Sequence, residues 1–238
     1  MSTDPVPARV RALWEGLAAA PVSFTSVPSV VVSPKALICP PGWVGIVALH
    51  GQAIVTAPSS AAAAVIRAAV AQLSVADLTV PDILGEALPL AEVLGPAALA
   101  YVGEDGFRPA PRNSLAVESL PAEHPDLRTL EVRSGDQDAA ESGLDEITSP
   151  AFTIRAGADL IAAAGYHIWP GRTAHLSVLT APDRRGRGLA RVAASAAVAH
   201  ALDAGLLPQW RARPPQSRRV AAALGFRELG TQLSIKLT

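Results

Sequence analysis

Residues 172–204 read RTAHLSVLT (Arg172–Thr180), APDRRGRGLA (Ala181–Ala190) and RVAASAAVAHALDA (Arg191–Ala204). The first piece alternates and is rich in Leu, Val and Thr, which predicts a strand. The last piece, up to Asp203, has no Pro or Gly and is built on alanine, the best helix former. Between strand and helix sits a short loop with three arginines and two glycines. The first amides of a helix have no intrahelical partner, and the helix dipole favours negative charge beside them. Strand, Gly/Arg-rich loop and helix therefore predict a pocket for an anion. Two familiar versions do not fit. A P-loop needs Lys and Ser/Thr after its last glycine, where this chain has Leu189 and Ala190. A dinucleotide fingerprint needs a third glycine at the position of Arg191.

What fits is R-x-x-G-x-A, at Arg185, Gly188 and Ala190. It resembles the pyrophosphate loop of the GNAT superfamily of N-acetyltransferases. A second motif accompanies it. Ser217–Leu224 reads as a short helix closed by Gly225-Phe226, and Ser217 lies nine positions before the Phe, as is common in that family. The resemblance covers about residues 113–238. It implies an acyl-CoA-binding α/β (α+β) fold, with a mixed central sheet flanked by helices. It also implies acetyl-CoA as acyl donor and a small-molecule or peptide amine as acceptor. By resemblance, amides from Arg185 through Gly186, Arg187, Gly188 and Leu189 to Ala190 hold the pyrophosphate. Val178, Leu179 and Thr180 offer backbone groups to pantetheine, which slips between two splaying parallel strands. Ser217 and Arg218 join the cofactor-binding set, with Arg218 and Arg219 either on the 3′-phosphate or facing water.

The order of elements agrees with this reading. Ser114–Leu120 is expected as a strand, Glu123–Glu131 and Asp136–Asp145 as helices, and Phe152–Ala156 with Leu160–Trp169 as a hairpin. Leu206–Arg213 is the next strand, and FRELGTQLSIKL supplies the last ones. Upstream, residues 3–20 predict a helix capped by Asp4, with Val10, Leu13, Trp14 and Leu17 on one face. Short extended pieces are expected at Ser29–Ser33 and Ala36–Ile38, and a hairpin across His50-Gly51-Gln52. A helix over Ala61–Gln72, capped by Ser59 or Ser60, a helical turn at Asp82–Glu86 and a strand at Ala97–Val102 complete that half. EDGFRPAP (Glu104–Pro111) marks a boundary. Residues 1–110 are thus expected as an additional N-terminal α/β domain, read as a degenerate GNAT-like half. Residues 113–238 are expected as the acetyltransferase domain.

Composition narrows the classes. Half of the 238 residues are hydrophobic, which suits a globular core. The single Cys39 excludes an intramolecular disulfide and any multi-Cys zinc site, and no metal is expected. No apolar run approaches the ~20 residues that span a bilayer. With Glu15 interrupting Ala12–Val22 as a leader, the expected location is the cytoplasm. Residues 1–150 carry 8 basic and 17 acidic groups, net −9; residues 151–238 carry 12 and 4, net +8. A basic half suits an anionic partner, CoA among them. Nucleic acid is disfavoured because no recognition signature accompanies the charge. Arginine outnumbers lysine 18 to 2, which, with the alanine content, points to a GC-rich genome such as that of an actinobacterium.

Acetyl transfer needs a deprotonated amine, a donor to the thioester oxygen and a route for a proton to the thiolate. His175 on the central strand is the first candidate base, with an ordinary pKa near neutrality. Tyr166 on the preceding strand and Glu141 in the second helical segment follow. The tyrosine that the family often places four residues before the Gly of Gly-Phe is Ala221 here, and its usual Asn partner is Pro214. Two readings therefore stand: an N-acetyltransferase working by direct attack in a ternary complex, and a non-catalytic acyl-CoA-binding or regulatory protein. In the first, the N-terminal domain covers the acceptor cleft or mediates homodimerisation.

Overall fold

The computed structural model describes residues 5–111 and 115–238. In chain order the elements are α1 (Val6–Leu17), β1 (Ser29–Val32), β2 (Val44–Leu49), β3 (Gln52–Ala57), α2 (Ser60–Val70), α3 (Pro81–Ala87) and β4 (Leu90–Tyr101). Then come β5 (Glu118–Leu120), α4 (Pro125–Ser134), α5 (Asp136–Ser142), β6 (Ala151–Ala156), β7 (Asp159–Trp169) and β8 (Thr173–Thr180). The chain closes with α6 (Leu189–Asp203), β9 (Leu207–Ala212), α7 (Pro215–Ala223) and β10 (Arg227–Leu237). Two compact units result. One holds residues 1–100 with 228–238, the other residues 101–227.

In the first unit the strand order is β1-β3-β2-β10-β4. β1 runs parallel to β3, and β2 is antiparallel to both β3 and β10. The buried faces of β2, β3 and β10 meet Ala63 and Ile66 of α2 and Leu84 of α3 in one apolar cluster. The division departs from the boundary expected at 110–113, because β10 pairs with β2 through Gly230–Ile235 and so belongs with the first half of the chain. Ser59 caps α2 by accepting the Ala62 amide at 3.2 Å. The Asp4 cap lies outside the described residues, and Pro5 occupies the cap position of α1. Ala36–Ile38 forms no strand. β4 is much longer than the expected Ala97–Val102 and runs through Gly95-Pro96. Gly95 is needed there: its φ is +116°, and a Cβ would stand 3.0 Å from the Gln232 carbonyl oxygen.

In the second unit the order is β9-β8-β7-β6-β5. β5 through β8 form an antiparallel run, and β8 pairs in parallel with β9. One face carries α4 and the residues after α5, with Leu127, Leu130, Leu144 and Ile147 on Leu160, Ala163 and Leu179. α6 contributes Ala193, Ala194, Ala197, Val198 and Ala201, all fully buried. Alanine on that face removes side-chain bulk, so helix and sheet approach closely. Of the expected strand at Ser114–Leu120 only Glu118–Leu120 is one; Ser114 lies outside the described residues. The predicted 136–145 helix stops at Ser142 because Gly143 takes the left-handed conformation, φ 58°. Gly225 closes α7 with φ +91°, and a Cβ on it would fall 2.0 Å from the Gly106 carbonyl oxygen. The Gly-Phe pair thus has a structural cause: no side chain fits at 225.

Candidate active site

β8 pairs along its whole length with β7, from Thr173–Trp169 to Thr180–Ala162. With β9 it pairs only at Thr173–Leu207, Ala174–Pro208 and His175–Gln209. Beyond that point the register with β9 ends, and β8 carries backbone groups that an extended ligand can satisfy. The opening is a cleft of about 520 Å³. Leu176, Val178, Leu179 and Thr180 of β8 line one side, and Trp210 and Ala212 of β9 the other.

The cleft runs to the loop that precedes α6. Gly186 and Gly188 both have φ of +76°, a conformation other residues adopt only with strain. A Cβ at either would meet nothing within 4 Å, so these glycines are required for backbone shape and not for space. Gly188 is the N-cap of the 15-residue α6 and has no side chain to accept the first amides. Arg184, Arg185, Leu189, Ala190 and Arg191 complete this end of the cleft. The Nε of Arg191 is buried and unpartnered. A helix N-terminus without a side-chain cap, ringed by guanidinium groups, has the chemistry of an anion cradle.

The expected cofactor-binding residues Val178, Leu179, Thr180, Arg185, Gly186, Gly188, Leu189, Ala190 and Ser217 all line this cleft. Arg187 and Arg218 do not line it; both are exposed, and the lining arginines are Arg184, Arg185, Arg191, Arg211 and Arg219. Ser217 Oγ accepts the Trp210 Nε1–H at 2.9 Å, and the indole meets Phe226 edge-on at 5.5 Å. That contact leaves the serine hydroxyl proton free for a ligand.

The three candidate bases do not meet. Glu141 lines the cleft, where it is paired with Arg213. His175 is not among the lining residues. Its ring stacks on Trp169 at 4.4 Å, and its Nδ1 lies 3.0 Å from Gln209 Oε1. Gln209 in turn donates from Nε2 to the Tyr101 hydroxyl at 2.7 Å. Burial first, then the Arg211 cation, pushes the His175 pKa down to about 3. The imidazole is neutral and lines no part of the cleft, which removes it from the proton path. Tyr166 is buried, its hydroxyl 2.8 Å from His200 Nδ1, and burial raises its pKa. It lines no part of the cleft. These placements correct the expectation for His175 and Tyr166: Tyr166 opposes Leu176 and His175 opposes His167, so the two rings lie on opposite faces of the sheet, and neither lines the cleft.

The sequence reading missed Asp138 and Ser142 of α5. With Glu141 they line the cleft at i, i+3 and i+4, and that helical spacing was the available signal. Asp138 pairs with Arg185, whose Nε also donates to the Thr180 carbonyl at 3.4 Å. Asp183 accepts from Arg133 at 2.8 Å and sits 3.0 Å from Arg184. Ala221 is buried and outside the lining set. Among the described residues, no group of three or more His, Cys, Asp or Glu could hold a metal, and no helix is long and apolar enough to cross a membrane.

Comparison with known proteins places this unit. Residues 150–231 match the family model described as GNAT acetyltransferase. No curated protein matches the chain. Among solved structures, a GCN5-related N-acetyltransferase from Kribbella flavida shares 16% identity at a TM-score of 0.48, over 66% of this chain and 62% of its own. A GNAT-family acetyltransferase from Colwellia psychrerythraea shares 15% at 0.47, over 63% and 59%. The yncA protein of Salmonella typhimurium, solved with its cofactor acetyl-CoA, shares 18% at 0.39, over 53% and 95%. The chain spans about three fifths of the length of the first two. Residues 150–231, which hold β6 to β9, α6, α7 and the loop between β8 and α6, form a domain of the GNAT acetyltransferase family.

Proposed function

We propose that the protein is an acetyl-CoA-dependent N-acetyltransferase acting on a primary amine. The observation that carries this reading is the parting of β8 from β9 after His175 and Gln209, which leads a cleft onto the uncapped N-terminus of α6. The residues present fit the donor. The α6 amides with Arg184, Arg185 and Arg191 suit its pyrophosphate, and the unpaired edge of β8 at Leu176–Thr180 suits its amide-bearing arm. When bound, acetyl-CoA supplies an activated acyl group. The chain's own part is to fix that arm, orient the amine and move one proton. Of the two carboxylates in the cleft, Asp138 pairs with Arg185 of the anion loop, and Glu141 is the one assigned to accept the ammonium proton, directly or through a water. Reaction then follows by direct attack in a ternary complex, with positioning as the main contribution.

A second reading is an acyl-CoA-binding or regulatory protein without turnover. It is favoured by one observation: among the described residues no Tyr, His or Cys lines the cleft, and the tyrosine position of the family is the buried Ala221. A screen of primary amines with acetyl-CoA, read as release of free thiol, separates the two. Turnover that disappears in a Gly188→Asp variant supports the transferase. Tight CoA binding with no thiol release from any amine supports the binding protein.

A further inference from the structure

α5 is attached to the rest of its unit in an unusual way. It has seven residues, none of them buried, between Gly135 with φ 85° and Gly143 with φ 58°. The two glycines are natural pivots. What reaches from the helix into the cleft is charge. Asp138 pairs with Arg185 of the anion loop, and Glu141 pairs with Arg213 just after β9. Arg185 is therefore neutralised in the free protein by a carboxylate from another element.

Resting on the acyl-CoA reading above, we infer that Asp138 is a built-in competitor for the donor's phosphates: binding exchanges the Arg185–Asp138 pair for an Arg185–phosphate pair. The geometry favours the exchange in one direction. Asp138 offers Arg185 one negative charge, from a helix with no buried anchor. A diphosphate offers more charge and also fills the N-terminus of α6, which Asp138 leaves open. A monoanion gains little by displacing a carboxylate, so the pair makes the site selective for polyanions. Exchange also removes one of the two ion pairs that hold α5 across the cleft, which loosens the helix bearing Glu141 once the donor is seated.

The test is calorimetric titration of the full chain with CoA and, separately, with inorganic pyrophosphate, for wild type, Asp138→Asn and Asp136→Asn. Asp136 begins the same helix and carries the same charge, but among the described residues no arginine pairs with it. It controls for the general gain from removing an acid near an anion site. The expected result is about fivefold tighter binding of both probes by Asp138→Asn, near the upper end for an exposed ion pair. Asp136→Asn should stay within about twofold of wild type, and the Asp138 gain should shrink as salt is added. If pyrophosphate shows this pattern while CoA binds no variant, the competitor stands and the acyl-CoA reading falls. Equal or weaker binding by Asp138→Asn, an equal gain from Asp136→Asn, or no binding of either probe to any variant overturns the inference.

Discussion

The loop Ala181–Gly188 and the helix α5 face the same cleft but are built by different means. The loop is made by the backbone. Two left-handed glycines shape it, and the groups it offers are amides at the start of a long helix whose alanine face is fully buried. α5 is made by side chains, with no buried residue and ion pairs to Arg185 and Arg213. A backbone site is preorganised, and its geometry survives most changes of surface side chain. A side-chain site can be remodelled one residue at a time, and salt or a competing ion can open it. The difference implies that the end of the cleft formed by the loop is fixed and the end formed by α5 adjustable.

The sharpest way to break this contrast is at the glycines. Gly225→Val must fit a side chain where a Cβ would fall 2.0 Å from the Gly106 oxygen, at φ +91°. We expect a loss of at least about 3 kcal/mol in urea unfolding, or no soluble protein. A loss below about 1 kcal/mol would show that this backbone yields as α5 is expected to.

The second effect lies across β8 from the cleft. The His175 pKa is held near 3 in the folded protein against about 6.5 unfolded. A depressed histidine binds more protons unfolded than folded, so its contribution is fully present above pH 6.5 and is lost as pH falls toward 3. Between pH 7 and pH 4.5 this amounts to about 2.5 kcal/mol. Urea titrations at the two pH values should show a His175→Gln variant losing less than wild type by that order, while CoA affinity at pH 7 changes less than about threefold. A pH dependence unchanged in the variant would return His175 to solvent and to the list of candidate bases.

Smaller effects separate the two walls directly. Gly188→Asp places a carboxylate at the α6 N-terminus and strains a φ of +76°, so CoA affinity should drop at least about tenfold by calorimetry. Glu141→Gln removes one exposed pair of α5 and should change unfolding stability by less than about 1 kcal/mol. Its thiol-release rate with an amine substrate should fall much further, and an undiminished rate would remove Glu141 from the proton path.

The same contrast explains what could be read from the sequence. Arg185-x-x-Gly188-x-Ala190 and Gly225-Phe226 were legible because backbone geometry leaves a local mark: a glycine where φ must be positive, a run of alanines where helix and sheet must touch. The strand, loop and helix from Arg172 to Asp203 were recovered almost to the residue. The roles of His175 and Tyr166 were not, because they depend on what covers each face: the Tyr166 hydroxyl meets His200 of α6, and the His175 ring stacks on Trp169. A strand's alternation fixes two faces without naming which is which. Asp138 and Ser142 were missed because a short polar helix reads as solvated surface until its partners, Arg185 in the case of Asp138, are brought 47 residues back to it. β10 was expected within the 113–238 domain for a similar reason: nothing in FRELGTQLSIKL states that its partner is Val44–Leu49.

The central claim is that the gap between β8 and β9, ending at the α6 N-terminus, is an acyl-CoA site. Calorimetric titration with acetyl-CoA tests it most directly, comparing wild type with the Arg185→Ala/Gly188→Asp double variant. The account predicts micromolar binding by the wild type with one site per chain, reduced by at least about a hundredfold in the variant. Absence of binding by the wild type, or equal binding by both, would contradict it.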